Sequence, residues 1–398
     1  AWYAGKRKPA RATPTASRNP KSLFKLKCRP RKQPGGGPLQ AKEKISSLQV
    51  IYLLVNVVGA TAMVFLPSLV AAVAGRDAWL APVLATIPGI YVIFIVTALG
   101  KIFPGKTLVQ YSEIILGPWL GKILAFLYVV FFLHVNGIIL REFGELLSST
   151  ILPRTPQVAL LSLMALLCAF AVYEGIEVLA RVMELSYPLM LTLFAFLLVL
   201  VAGHMEAAHL LPVLEHGLEP VILGSLDPIA WRCEVFLLAM LFPYLAKQDA
   251  ARRDGVIAVV AIGIILTVDT LASTAVFGPT AARLTYPTFE LVRMAGLGTF
   301  LSRLDAIWMI IWIVSIFGKV GLFHFATVVG AANLLGLEDY RPLVAPLSIL
   351  LVALALGQFG NVVEMAHWIV FTWPPYAYTF EIVLPTLLLV AARFKKAR

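Results

Sequence analysis

Apolar residues in this chain fall in long uninterrupted blocks instead of alternating or recurring at the spacing of one helix face. Such blocks occupy residues 45–73, 78–100, 118–148, 157–174, 181–203, 227–246, 254–278, 304–334, 342–359 and 369–392. A hydrocarbon layer about 30 Å thick takes roughly 20 apolar residues of α-helix to cross, so most blocks reach that length. The gaps between them carry turn and charge signals, as in Gly75-Arg76-Asp77, Pro104-Gly105-Lys106 and Pro153-Arg154-Thr155-Pro156. Helix is the only open-ended conformation that satisfies its own backbone in lipid. The pattern therefore predicts an all-α integral membrane protein of about ten transmembrane helices, occupying residues 42–398.

Two of the ten segments read as interrupted. Span one holds Asn56-Val57-Val58-Gly59-Ala60-Thr61-Ala62 and then Leu66-Pro67, while span six holds Asp227-Pro228 and then Trp231-Arg232-Cys233-Glu234. Small residues and helix breakers at matching places in two halves mark an inverted repeat with a central binding site. The expectation is a five-plus-five repeat over about 45–203 and 219–393, with helices one and six broken. Close helix packing is the other use of small residues such as Gly59 and Ala60 in a membrane.

Composition agrees with the membrane assignment. Only 14% of residues are charged and 60% are apolar, with a mean hydropathy of +0.86, whereas a soluble domain carries about a quarter charged residues. The net charge of +11 raises nucleic-acid binding, but its location excludes that. Residues 1–44 hold 13 of the 33 Lys and Arg and a single acid, Glu43. Pro and Gly interleave these charges, so residues 1–41 are expected to be a disordered basic tail. It suits either a tether to anionic lipid or a variable extension without catalytic role, and it lacks the apolar core of a signal peptide. The short loops place Lys101, Lys106, Arg181, Lys247, Arg252, Arg253 and Arg341 on one side, with Arg393, Lys395 and Lys396 at the carboxyl end. The excess of Lys and Arg on the inner side puts both termini in the cytoplasm and the stretch from His204 to Asp227 outside a bacterial inner membrane.

Charged residues within the apolar blocks are the candidates for function, since each is costly there. Lys319 sits at the middle of span eight, too deep to reach either interface, and Glu234 in span six is its natural partner. The alternative for the two is a purely structural ion pair. His134 and Arg141 lie on one face of span three, and Glu145 follows Arg141 by one turn, which favours a structural pair. Arg232 is expected to snorkel to the outer interface. Asp269 is flanked by Thr267, Thr270, Ser273 and Thr274, which are expected to satisfy it locally. Glu177, Arg181 and Glu184 read as a helix-surface ion network, Arg303 and Asp305 as an interface anchor, and Trp368, Trp373, Tyr376 and Tyr378 as an aromatic belt. The three cysteines, Cys28, Cys168 and Cys233, have no metal-ligand spacing. No nucleotide loop, nucleophile elbow or metal-spaced set is present, so neither an enzyme, a cofactor nor a metal is expected.

Several local sequences resemble the spore germination permeases, the B subunits of GerA-type germinant receptors. These are Lys44-Ile45-Ser46-Ser47-Leu48-Gln49, Leu66-Pro67, Gly117-Pro118-Trp119-Leu120-Gly121, Leu211-Pro212-Val213-Leu214, Gly217-Leu218-Glu219-Pro220, Glu234 with Leu241-Phe242-Pro243, Tyr286-Pro287-Thr288, and Arg303-Leu304-Asp305 with Trp312. Together they span about residues 42–393. The chain departs from the pattern at Ala60-Thr61-Ala62, where the family is glycine-rich, and at Arg232-Cys233, where a glycine precedes the acid. The resemblance implies the amino acid–polyamine–organocation superfamily fold and a nutrient site near the bilayer midplane. Its residues would be Gly59, Ala60 and Thr61 on span one, Phe131 and His134 on span three, Trp231 and Glu234 on span six, and Lys319 and Phe323 on span eight. It also implies partners: a small nutrient such as an amino acid, a second membrane subunit and a lipoprotein. The competing function is a proton-coupled secondary transporter of amino acids or amines, which needs the same midplane site.

Overall fold

The computed structural model describes residues 43–295 and 304–396; the basic tail and Arg303 lie outside them. Eight helices among the described residues are long and apolar enough to cross a membrane, and nine if a bent pair counts as one span. They comprise α1 (Ser47–Ala74), α2 (Leu80–Ile102), α4 (Pro118–Thr150), α5 (Gln157–Glu174), α6 (Ile176–Val201), α10 (Ala251–Phe277), α12 (Leu304–Leu335) and the segment closing the chain, 373–395. A short α3 (Leu108–Leu116) precedes α4. The bent pair is α13 (Val344–Gly357) and α14 (Val362–Phe371), whose axes meet at 100°. After it come α15 (Trp373–Tyr378), a π-helical turn at Thr379–Val383 and α16 (Leu384–Lys396). Every named element is helical, as expected of an all-α membrane protein.

Sequence explains how the helices start. Ser46 and Thr107 each begin an S/T-x-x-Q capping box: Ser46 Oγ accepts from Gln49 N at 3.3 Å and Ser46 N donates to Gln49 Oε1 at 2.9 Å. Thr107 and Gln110 repeat the arrangement at 3.4 and 3.1 Å, so both helices gain donors that would otherwise lack partners. At the α5–α6 joint, Gly175 takes φ +116°, and a β-carbon there would lie 2.5 Å from Glu43 Oε1. Only glycine meets both demands.

Helices α1 and α12 carry few polar side chains, and those they share face each other inside the bundle. α1 packs on α10, α12 and α6, and α12 packs on α4, α1, α5 and α6, as expected for helices with no water-facing side. The outer helices turn Ile87, Leu163, Leu166, Phe170, Leu185, Val199 and Ile349 outward, all more than half exposed. Lipid is the solvent such a surface requires.

Span one is not broken: residues 47–74 form a single α-helix with Pro67 inside it. Pro67 lacks the N–H that would bond the Met63 carbonyl, and the hydroxyl of Thr288 on α11 (Pro287–Met294) donates to that carbonyl at 2.5 Å. Gly59 serves close packing, since a β-carbon there would sit 3.1 Å from Ile262 Cδ1 of α10. Span six is interrupted. It proceeds as α7 (Glu219–Gly224), α8 (Leu226–Cys233), a 3₁₀ turn at Glu234–Leu237, α9 (Leu238–Leu241) and another 3₁₀ turn at Phe242–Tyr244.

Two other expectations are corrected. Arg232 does not reach an interface; it is fully buried, with Nη1 donating to Val259 O at 2.9 Å, and Gly89 and Gly263 leave room for it. Asp269 lies against Thr288 from another helix, each carboxylate oxygen 3.0 Å from Oγ1, whose single proton is shared with the Met63 carbonyl, while Thr270 and Thr274 bond carbonyls of their own helix. The Arg141–Glu145 and Arg181–Glu177 pairs form at 2.6 and 3.0 Å, but Glu184 accepts from Gln49 instead.

At one end of the bundle residues 43–46 form a strap. Ile45 N donates to Tyr244 O, Ala246 N donates to Ile45 O, and Lys44 Nζ donates to Pro243 O, all within 3.0 Å. Glu43 Oε2 accepts from Ile176 N at 3.0 Å, at the start of α6. The strap thus ties α1 to α6 and to the end of span six. At the other end Arg76 bonds Leu211 O and Glu215, and Asp77 accepts from Leu214 N.

Candidate functional site

One face of α12 is given over to α1. Trp312, Ser315 and Lys319 recur at i, i+3 and i+7, the spacing of one helical face. Trp312 Nε1 donates to Ala60 O at 2.7 Å, and Ser315 and Asn56 exchange bonds of 2.6 and 2.9 Å. The next turn brings Lys319 Nζ to Thr61 Oγ1 at 2.7 Å and to Glu234 Oε1 and Oε2 at 2.8 and 2.7 Å. Glu234 opens the 3₁₀ turn at the break in span six. Lysine and glutamate are 0% and 1% exposed. An ammonium has three protons, and all three are matched by acceptors. The isolated charge would cost roughly 2.5–3.5 kcal/mol at mid-membrane, which is why three segments converge on it.

This unit forms part of the wall of a cavity of about 20 Å³, also bounded by Glu142 and by Trp231, Trp368 and Trp373. That volume accommodates about one water molecule. Val135, Ile138, Ile139 and Glu142 supply the α4 wall at i, i+3, i+4 and i+7. Glu142 is 3% exposed and makes no hydrogen bond among the described residues. A second cavity of about 230 Å³, bounded by Phe65, Tyr286 and Met365 among others, shares Ile369 with the first. Ile369 is therefore a septum between the buried charges and a wider space toward the Ala74 end of α1.

The structure brings Thr61, Trp231, Glu234 and Lys319 together on one cavity. Five other residues singled out in the sequence lie off its wall. The Ala60 carbonyl is taken by Trp312, and Gly59 faces α10. Phe131 stacks on Phe380 at 4.5 Å within an aromatic cluster with Phe236 and Tyr376. His134 touches Trp368 and Tyr376 edge-on, one layer behind the wall. Phe323, a turn beyond Lys319, is buried in the core.

Sequence reasoning missed Glu142, Trp368 and Trp373. The α4 periodicity from Val135 to Glu142 carried a signal for the first. In sequence the tryptophans resemble a belt because they flank a terminal span, but after the 100° bend before α14 Trp368 and Trp373 line the cavity. A further acid, Glu381 on the π-helical turn, is fully buried with neither carboxylate oxygen hydrogen-bonded among the described residues.

Comparison with known proteins places this geometry. The chain is 28% identical to spore germination protein KB of Bacillus subtilis (strain 168) over 363 residues, covering 90% of this chain and 96% of the relative. It is 24% identical to spore germination protein XB of Bacillus anthracis over 288 residues, covering 71% and 79%. Among solved structures it resembles Mhp1, a nucleobase-cation-symport-1 family transporter, in a closed conformation with bromovinylhydantoin bound. The TM-score is 0.59 at 11% identity, covering 88% of this chain and 78% of that one, a likeness of fold. The profile of the spore germination protein family matches residues 44–361. The chain is thus a multi-pass, transporter-fold member of the spore germination permeases, which are not an enzyme family.

Proposed function

We propose that this chain is the nutrient-binding membrane subunit of a germinant receptor. It binds an amino acid or similar small nutrient at the cavity between α1, α4, span six and α12, and it passes the change to a second membrane subunit and a lipoprotein. The observation that carries this reading is the Lys319–Glu234–Thr61 unit. Three separate elements commit a buried ion pair to the wall of a cavity at mid-chain depth, and one of them is helically discontinuous there. Discontinuous helices at the midplane are where transporter-like folds hold their ligands. The wider space beyond Ile369 lies toward the end that the Lys and Arg pattern assigns to the outside, where a nutrient arrives. In this reading the membrane is the spore inner membrane and both termini are cytoplasmic.

Lys319→Met tests the proposal. Nutrient dose–response of spores carrying the variant is measured together with its abundance in the membrane. Loss of response per molecule present in the membrane is expected; a normal dose–response at normal abundance refutes the site. Uptake of the effective nutrient into proteoliposomes holding the purified chain separates receptor from transporter: a receptor shows none.

A further inference from the structure

At the end of the bundle away from the strap, a cavity of about 390 Å³ lies between the last turn of α1, the end of α10 and residues 212–220. Pockets that hold small molecules run from about 300 to 1,000 Å³. This one admits a solute without rearrangement, unlike the 20 Å³ cavity beside Lys319. Pro212, Pro220 and Pro279 stiffen its wall, since each ring fixes φ, and a wall already rigid loses little freedom on binding.

Its ionisable side chains are Arg76, Asp77, Glu215 and His216. Arg76 is committed: Nη1 donates to Leu211 O at 2.7 Å and to Glu215 Oε2 at 3.2 Å, so the guanidinium offsets the Glu215 charge. Asp77 is left over. It is 6% exposed, and its Oδ1 accepts from Leu214 N at 2.9 Å. Its Oδ2 has neither a hydrogen bond nor an ion pair among the described residues. Two long helices add to the imbalance. α1 ends at Ala74 and α10 at Phe277, both at this cavity, and the carboxyl end of a helix carries partial negative charge. A buried carboxylate short of a partner is disfavoured, and a cation is what this wall lacks. A divalent metal needs several oxygens converging on one point, and no group of three potential ligands occurs among the described residues. The rest of the wall is alanine, valine, glycine and proline, with Thr274, which suits carbon. We infer that the cavity is a second ligand site, for a small organic cation. Its ammonium lies against Asp77 and its hydrocarbon body against α1 and the prolines. This site is distinct from the nutrient cavity, since Ala74 lies roughly 20 Å along α1 from Thr61. Ala72 borders both the new site and the 230 Å³ space, so an occupant braces the end of α1 that also walls the approach to Ile369.

The test heats the purified full-length chain in detergent, at pH 8 and constant ionic strength, and measures the fraction that still elutes as a single species. The probes are choline, putrescine and 3,3-dimethyl-1-butanol, the neutral carbon isostere of choline. A ligand that binds only the folded chain raises the half-loss temperature. Choline or putrescine is expected to raise it by about 2 °C or more, and the isostere to leave it unchanged. Asp77→Asn keeps an oxygen for Leu214 N but removes the charge, and is expected to cancel the rise. Two exposed positions test the same charge balance without touching the buried carboxylate. Arg76→Gln should lower the cation concentration needed for a given rise. Glu215→Gln, which frees Arg76 to pair with Asp77, should increase it. Each change should be about 2- to 5-fold, the worth of one exposed charge pair. The Lys319→Met/Glu234→Met double variant should keep the rise; its loss there places the cation in the nutrient cavity and overturns the inference. The inference also fails if the isostere matches choline, if magnesium alone stabilises, or if Asp77→Asn keeps the full rise. Shifts of the same sign in Arg76→Gln and Glu215→Gln overturn it too. A rise with Nα-acetyl-lysinamide and with neither free cation assigns the ammonium to a protein partner, which likewise overturns it.

Discussion

Lys319 and Glu234 should be far more damaging to lose singly than together. Lys319→Met removes three hydrogen bonds of 2.7, 2.8 and 2.7 Å and leaves the Glu234 carboxylate 1% exposed with no cation beside it. Glu234→Met leaves the ammonium buried with only Thr61. Orphaning one partner of a buried pair costs about 3–5 kcal/mol, a large share of the whole stability of an ordinary domain. The double variant removes both charges and fills the space with apolar atoms, which is about neutral by comparison. What remains is the unpaired Thr61 hydroxyl, about 1 kcal/mol. The assay heats detergent extracts of the four forms and measures the fraction that still elutes as a single species. The expected order of half-loss temperature is intact chain, then the double variant close below, then both singles well below. A double variant that falls as far as the two single losses combined would show no coupling between the groups and refute the reasoning.

Three further outcomes are expected. Gly121→Ala should lower the half-loss temperature by an amount equivalent to about 1–3 kcal/mol, because its β-carbon would lie 2.4 Å from Glu113 Cα and 2.7 Å from Ser112 O, and only backbone movement relieves that. In a Cys28→Ser background, a cysteine at Glu215 should react with an impermeant maleimide in right-side-out vesicles and one at Arg253 should not; the reverse pattern overturns the orientation. Burial holds the Glu43 carboxyl above its ordinary value of 4.5, so the folded state keeps a proton that the unfolded chain has released. Stability should therefore fall as pH rises from 4.5 through that raised value; Glu43→Gln should flatten the slope, and an unchanged slope would remove Glu43 as its source.

The sequence made the membrane class and most helix positions legible, because lipid forces long apolar blocks and cannot hide them. It also made the Lys319–Glu234 pair legible, since two unaffordable charges on different spans have few solutions other than each other. Span one was misjudged for a physical reason. Gly59 and Ala60 read equally as a break and as a packing face, and the hydroxyl that accommodates Pro67 comes from Thr288, far along the chain. Arg232 was assigned to an interface because nothing local marks Gly89 and Gly263 as the space it fills. Glu142 is overshadowed by Arg141 and Glu145, whose pairing is visible at one-turn spacing, while its place on the cavity wall depends on Trp368 and Trp373, more than two hundred residues away.

The saturation of Lys319 has a kinetic meaning. Thr61 and Glu234 together behave as a permanently tethered competitor for the ammonium, present at an effective concentration that no dissolved nutrient matches. Any solute whose binding recruits Lys319 must first await a spontaneous opening of that internal complex. Its apparent affinity is its intrinsic affinity diluted by the fraction of time the lysine is free. Weakening the tether, as by Thr61→Val, would then lower the dose at which the chain responds and raise its tendency to respond with no solute at all.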